Sequence, residues 1–246
     1  MTDTTTLGTL YLIPITLGET TNPLDVLPQT VQRVIEMLDI FIVENEKTAR
    51  RFIKSICPEK KQSELILYPL NKHTEISEYK DYIKPLLEGK SVGVMSEAGC
   101  PGVADPGAVI VDLAHKKNIK VTPLVGPSSI LLSVMASGMN GQSFAFNGYL
   151  PIDKGEKKTT LKALEKLSQD KNQSQLFIET PYRNNQLLQD MSQILNPNTL
   201  ICVACDITLE TEYIQTKPAS LWKKTKIDLH KRPCIFIIHK KLDTKK

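Results

Sequence analysis

The sequence predicts an α/β fold in two parts, a mostly parallel N-terminal sheet followed by a mixed C-terminal sheet. Three observations predict it. Apolar runs of strand length alternate with stretches of helical spacing from Leu10 to Leu124, the pattern of parallel strands joined by helices that cover both faces. The strand ends carry loops rich in Gly, Pro, Ser or acidic residues, which an open parallel sheet gathers along one edge. Past residue 125 strands outnumber helices, as in a mixed sheet. A chain of 246 residues suits one large domain or two smaller ones. The change of pattern at 122–130 divides it into an N-terminal α/β domain, 1–124, and a C-terminal α/β domain with a mixed sheet, 125–246.

The first strand is 10–13, followed by a loop over 14–20. Val31, Val34, Ile35 and Leu38 recur at helical spacing. A second strand, 40–43, ends at Glu44-Asn45-Glu46-Lys47, and 48–56 reads as a helix. Residues 65–68 form a third strand. A helix over 76–87 is closed by Gly89. The fourth strand, 91–95, runs into a tight, buried loop of small residues and then a helix over 110–115. The fifth strand is 119–124. Pro127 and Ser128 are N-terminal signals for an apolar helix over 130–136. Beyond it, 144–150 alternates like a strand with an exposed edge, 161–167 is helical, 176–179 a strand, 185–195 a helix and 200–204 a strand. Tyr213 and Ile214 form a short strand, and 235–238 closes the chain.

Composition narrows the function. Hydrophobic residues at 41% and charged residues at 24% are an ordinary globular mixture. No stretch is long and apolar enough to span a membrane. The N-terminal Met1-Thr2-Asp3-Thr4-Thr5-Thr6 lacks the basic and apolar regions of a signal peptide, so a cytoplasmic location is expected. The five cysteines, Cys57, Cys100, Cys202, Cys205 and Cys234, are scattered and form no disulfide framework. Cys202 and Cys205 have Cys-x-x-Cys spacing, but strand alternation points them to opposite faces, as buried free thiols. His73, His115, His230 and His239 have no zinc spacing, and no metal is expected. Hydrolase-elbow, P-loop and Gly-x-Gly-x-x-Gly motifs are absent. The charge of +4, from 31 Lys plus Arg against 27 Asp plus Glu, permits an anionic partner without demanding one. Lys154, Lys157 and Lys158 read as a polar loop. Lys223, Lys224, Lys226, Lys231 and Arg232, then Lys240, Lys241, Lys245 and Lys246, read as a solvated surface or a nucleic-acid footprint.

Three small-residue loops, 16–18, 96–107 and 125–129, carry the candidate chemistry. Small side chains let backbone approach a ligand, although the same residues also build ordinary turns. Backbone N–H groups at the helix start near Ser128 suit a carboxylate. Glu97 or Asp105 could accept from an ammonium or hydroxyls. Together they suit a zwitterionic ligand. Glu179-Thr180-Pro181-Tyr182-Arg183 ends a strand of the second domain. Glu44 and Arg50 flank the end of the second strand, with an internal ion pair as the plainer reading of both.

Longer motifs make a resemblance specific. They are Leu12-Ile13-Pro14-Ile15-Thr16-Leu17-Gly18, Val43-Glu44-Asn45-Glu46-Lys47-Thr48-Ala49-Arg50, Ser96-Glu97-Ala98-Gly99-Cys100-Pro101 with Asp105-Pro106-Gly107, Pro123-Leu124-Val125-Gly126-Pro127-Ser128, Phe146-Asn147-Gly148-Tyr149-Leu150-Pro151, and Phe177-Ile178-Glu179-Thr180-Pro181-Tyr182-Arg183. In order and spacing the chain resembles the tetrapyrrole methylase superfamily of S-adenosylmethionine-dependent methyltransferases. Within it, the chain is most similar to the ribosomal RNA small subunit methyltransferase I branch, which methylates a ribose 2′-hydroxyl. The resemblance implies a two-domain tetrapyrrole methylase-like fold with the donor cleft between the domains, a homodimer, S-adenosyl-L-methionine as cofactor and ribosomal RNA as substrate. It places the donor-binding residues at Met95, Ser96, Glu97, Ala98, Gly99, Pro101, Asp105, Pro106, Gly126, Pro127, Ser128 and Ser129. The second domain would add Glu179, Thr180 and Ala204.

A ribose hydroxyl must lose its proton during attack, and Glu44 is the chosen base or orienting group. An ion pair of Glu44 with Arg50 or Lys47 is the alternative. The branch has Pro-Thr-Pro-Ile-Gly-Asn in the first loop, where this chain has Pro14-Ile15-Thr16-Leu17-Gly18-Glu19. It has Glu-Asp-Thr-Arg after the second strand, where this chain has Glu44-Asn45-Glu46-Lys47. It has Ser-Asp-Ala-Gly-Thr-Pro in the central loop, a smaller difference. The loops that help shape the acceptor side therefore depart further than the donor loops. The alternatives are methylation of a tetrapyrrole carbon, or a non-catalytic RNA-binding or assembly factor that retains the donor pocket.

Overall fold

The computed structural model describes residues 6–241. The N-terminal segment 1–5 and the lysines Lys245 and Lys246 lie outside the described residues. The chain divides into two compact units, Met1–Ser128 and Ser129–Lys246.

The first unit is an all-parallel sheet of β1 (Thr9–Leu12), β2 (Ile40–Val43), β3 (Ile66–Pro69), β4 (Val92–Met95) and β5 (Lys120–Pro123). Their order is β3-β2-β4-β1-β5. The single turn α1 (Pro23–Val26), α2 (Gln29–Met37) and α3 (Glu46–Ile56) follow β1 and β2, whereas α4 (Tyr79–Leu87) and α5 (Ala108–Lys116) follow β3 and β4. Val31, Ile35, Phe52 and Ile53 pack with Phe41, Val43 and Met95 on one face. Tyr82, Ile83, Leu86 and Ile110 pack with Leu10, Ile42 and Val94 on the other. Both faces are thus covered, and β2 and β4 are buried throughout. Gly93 lets β4 sit there, because a Cβ would come within 2.6 Å of Ile13 Cδ1 and 2.8 Å of Phe41 Cδ1.

This order creates a crevice. From β1 the chain leaves toward the face of α2 and α3, and from the adjacent β4 it leaves toward the face of α5. The two connections run to opposite faces beyond the carboxyl edge, which makes this edge the topological switch point where open α/β sheets hold ligands.

The second unit begins with α6 (Ser129–Ser137). Its sheet is mixed, in the order β6-β7-β10-β8-β9, from β6 (Phe144–Tyr149), β7 (Ser174–Ile178), β8 (Leu200–Cys205), β9 (Tyr213–Pro218) and β10 (Cys234–His239). Only the edge strand β6 pairs in parallel, with β7, while β10 runs antiparallel to both β7 and β8. Ile235 is in register with Ile178 on one side and Ala204 on the other. The carboxyl ends of β7 and β8 therefore share one sheet edge. The helices α7 (Lys154–Lys171), α8 (Asn184–Ile194) and α9 (Ala219–Trp222) complete the unit. Leu161, Leu187, Met191 and Trp222 close its core over Phe177, Val203 and Phe236, and the Trp222 indole donates to the Ile201 carbonyl at 2.9 Å.

Several elements differ from expectation. Lys154, Lys157 and Lys158 do not lie in a loop. They form the first turns of α7, which Asp153 caps by accepting from Glu156 N at 2.9 Å. Lys157 is buried and faces Asp190 of α8 at 3.5 Å. The helix expected over 76–87 opens as a 3-10 turn, Ile76–Glu78, bracketed by a Glu75/Glu78 capping box, before α4 begins. Strand β9 runs well past Ile214, an edge position that tolerates its polar residues. Four of the five cysteines are buried and Cys100 is half-buried, all as free thiols. Among the described residues no helix is long and apolar enough to cross a membrane, and no cluster of His, Cys, Asp or Glu could hold a metal ion.

Candidate functional site

The loops after β1, β4 and β5 meet at the carboxyl edge of the first sheet. Ile15 N donates to Gly99 O at 3.0 Å, which ties the first loop to the central one. The Cys100 thiol donates to Pro127 O at 3.4 Å, which ties the central loop to the third. The contacts leave room only for glycine. A Cβ on Gly126 would stand 2.3 Å from Pro14, and Gly99, at φ +69°, has Leu17 Cδ2 and Pro127 O each 3.1 Å from its Cβ position. The structure therefore brings Met95, Ser96, Gly99, Pro101, Gly126 and Pro127 together in one unit.

Asp105 organises the far half of the central loop. Its carboxylate accepts from Gly102 N at 2.9 and 2.8 Å and from Gly107 N at 2.6 Å. The loop, expected from its small residues to be buried, is buried only in part. Ser96, Gly99 and Pro101 are buried, but Glu97, Ala98, Val103, Ala104 and Pro106 are exposed. The short polar and proline-rich turn presents these residues to solvent, while Gly99 faces Leu17 of the first loop and Pro127 of the third.

The end of β2 joins this centre through side chains. Asn45 caps α3, accepting from Lys47 N at 2.9 Å and Thr48 N at 3.3 Å. Thr48 Oγ1 then donates to Glu97 Oε1 at 2.7 Å. Burial, and then the negative charges of Asp105 and Glu97, raise the pKa of Glu44 above the ordinary carboxylate value, while the Glu97 backbone beside its carboxylate acts to lower it. A gap of about 10 Å³ beside Glu44, Met95 and Asp105 has room for one water. The expected pairing of Glu44 with Arg50 or Lys47 is not what forms. Arg50 reaches Glu46 one helical turn earlier, at 3.8 Å, and donates to Gln62 O at 2.6 Å.

Two hollows flank the loops within the first unit. One of about 390 Å³ is lined by residues of the first loop and by Thr48, Arg51, Phe52, Ser55 and Glu97. At its rim Arg51 pairs with Glu19 at 2.7 Å. The other, about 370 Å³ and mainly apolar, is lined by Leu12, Cys100, Pro101, Val103, Val111 and Leu124 among others.

Ser129, Glu179, Thr180 and Ala204 belong to the second unit. Ser129 opens α6. Glu179 is buried just past β7, its Oε1 accepting from Thr180 N at 2.7 Å and Arg183 Nη2 at 2.5 Å. Burial alone would push its pKa up, but the bonds from Arg183 and Thr180 prevail and hold it below the ordinary value. Its Oε2 and the Arg183 Nε are buried with no hydrogen-bond partner among the described residues. Ala204 is buried in β8 beside Ile235 and Ile214. The nearby pair of Asp206 and Arg232, at 2.7 Å, was not legible in the sequence. Nor was the bond from Thr48 to Glu97.

A parallel sheet with three glycine-bearing loops at its switch point, followed by a mixed sheet, defines the architecture of a class of two-unit methyltransferases. The fold of the methyltransferase CobJ matches with a TM-score of 0.62 at 13% identity, over 94% of each chain. That of uroporphyrin-III C-methyl transferase from Thermus thermophilus, complexed with S-adenyl homocysteine, matches at 0.56 and 12%, over 95% of this chain and 98% of that one. These are likenesses of fold. Residues 9–221 match the family described as Tetrapyrrole (Corrin/Porphyrin) Methylases, and the chain belongs to this family of S-adenosylmethionine-dependent methyltransferases. Among curated relatives, the ribosomal RNA small subunit methyltransferase I of Vibrio cholerae serotype O1 is 27% identical over 94% of this chain and 76% of its own length.

Proposed function

We propose that this protein transfers a methyl group from S-adenosylmethionine to a ribose 2′-hydroxyl of small-subunit ribosomal RNA, as a homodimer in the cytoplasm. The observation that carries the acceptor is the similarity to the Vibrio cholerae rRNA methyltransferase along nearly the whole chain. The 390 Å³ hollow favours the same reading. Among the described residues lining it, Arg51 is the single basic side chain, and it is already paired with Glu19 beside a second carboxylate, Glu97. A tetrapyrrole rich in carboxylates would need several basic groups there.

The residues fit a zwitterionic, nucleoside-bearing donor. Met95, Ser96, Glu97, Ala98, Gly99, Pro101, Asp105, Pro106, Gly126, Pro127, Ser128, Ser129, Glu179, Thr180 and Ala204 are the residues proposed to hold it. The orphaned Glu179 Oε2 is an acceptor suited to a ligand hydroxyl or ammonium. The donor supplies an electrophilic methyl on a sulfonium. Everything else falls to the chain. Positioning for in-line approach comes from loops locked by Cys100, Gly126 and Asp105. Glu44 takes the hydroxyl proton as the oxygen attacks, and its raised pKa brings it closer to the working pH of a general base. Thr48 and Glu97 hold the end of β2 and the central loop in one register.

A second reading, methylation of a tetrapyrrole carbon, is favoured by the family description and by the proteins that share the fold. Mapping 2′-O-methylation across ribosomal RNA from cells with and without the gene separates the two. Loss of one site, restored by purified protein and donor, supports the RNA acceptor. An unchanged map defeats it and leaves the tetrapyrrole reading or a non-catalytic assembly factor.

A further inference from the structure

Tyr182 lies just beyond β7 with 68% of its surface exposed, unusual for a large aromatic that fills no core. It does not stand alone. Lys231 Nζ sits 5.9 Å from the ring centroid, and the His230 ring meets it edge-on at 5.7 Å and 73°. Both of these neighbours are exposed as well.

The arrangement is held firmly from below. Lys231 N donates to Pro181 O at 3.0 Å, next to Tyr182 in the chain. Asn184 Nδ2 donates to Arg232 O at 2.6 Å, and Asn185 Oδ1 accepts from Leu229 N at 2.7 Å. Arg232 is anchored in turn by Asp206. Lys231 itself is at φ +61°, a left-handed conformation that favours glycine. A lysine kept in a strained position, with its backbone stapled to the loop that carries an exposed tyrosine, is the kind of outlier that points to use. Bases stack on aromatic rings whatever their sequence, and a flanking cation neutralises phosphate.

Resting on the RNA reading above, we infer that Tyr182, His230 and Lys231 form a stacking platform for an unpaired base of the RNA acceptor, with Lys231 set against an adjoining phosphate. Tyr182 offers the ring, His230 buttresses its edge, and the stapled loop prevents the platform from swinging away. Acceptor binding thereby gains a contact on the second unit.

The test uses the full chain, a fluorescent single-stranded oligoribonucleotide, and small ribosomal subunits lacking the methyl group. Tyr182→Ala should weaken oligonucleotide binding roughly 5- to 100-fold and raise KM for the subunits more than it lowers kcat. Tyr182→Trp should bind as wild type. Lys231→Gln should make the salt dependence shallower by about one in the log–log slope. If the wild type methylates RNA and Tyr182→Ala matches it in binding and KM, the platform is refuted while the RNA reading stands. If the wild type neither binds nor methylates RNA, the reading falls and the platform with it. If Tyr182→Ala instead turns a dimer into a monomer by sedimentation, the surface is a contact between copies and the inference is overturned.

Discussion

Glu44 concentrates the chemistry of single residues. In the folded protein its pKa lies above the unfolded value, through burial and the charges of Asp105 and Glu97. As pH rises from the acid side, the unfolded chain loses this proton first. The group therefore costs stability once pH passes the ordinary carboxylate range, and costs nothing below about pH 4. Glu44→Gln should stabilise the fold at neutral pH, with the gain vanishing on acidification, as thermal melts across pH would record. The same substitution should lower single-turnover methyl transfer by about 10²- to 10⁴-fold with donor affinity retained. It should also remove the rise of rate with pH that follows Glu44 ionisation. Cys100 gives an independent probe. Burial raises its pKa, yet it is the one half-exposed thiol among five, while burial pushes Cys57 up to about 11. Cys100 should react first with an aromatic disulfide reagent, and S-adenosylhomocysteine should slow that reaction. Equal rates with and without ligand would place the donor away from this loop.

At the scale of elements, the three loops behave as one part. Gly126→Ala would drive a Cβ to 2.3 Å from Pro14, so it should cost about 1–3 kcal/mol of stability and weaken donor binding in calorimetry. The pair of Lys157 and Asp190 locks α7 to α8 with little exposure on either side. Asp190→Ala leaves the lysine buried without its partner, and denaturant titration should show a loss of about 3–5 kcal/mol. Elements were largely legible because periodicity is local. The strand over 10–13 and the helix over 48–56 were each visible in a few neighbouring residues. The start of α7 was not, since Lys154, Lys157 and Lys158 show no apolar period and the Asp153 cap is a single residue. The side-chain links were hidden for another reason. Thr48 meets Glu97 only because β2 lies beside β4, and alternation of strands and helices does not specify that order. The alternative pairing of Glu44 with Arg50 does not form because Glu46 stands one helical turn before Arg50 inside α3, whereas Glu44 precedes the helix.

For the whole molecule, the two-part organisation followed from the shift between regular alternation and a strand-rich remainder, and the structure has one parallel and one mixed sheet. The family was legible because its motifs sit in the loops at the carboxyl edge, where small residues are dictated by close backbone packing. Acceptor identity is less legible, since the proposed function places the acceptor side at the first loop and the residues after β2, where Glu19, Asn45, Glu46 and Lys47 depart from the branch pattern. Glu19 pairs with Arg51 at the rim of the 390 Å³ hollow, and Asn45 caps the helix that supplies Thr48 and Arg51 to its lining. The proposed reaction is methyl transfer from S-adenosylmethionine to RNA. Its most direct test incubates purified protein and methyl-labelled donor with undermethylated small ribosomal subunits and, separately, with a reduced uroporphyrin-type tetrapyrrole. Label should appear in RNA, resistant to alkali at a single ribose 2′-O-methyl, and should be abolished or strongly reduced by Glu44→Gln. Label in the tetrapyrrole with none in RNA would contradict the proposed reaction.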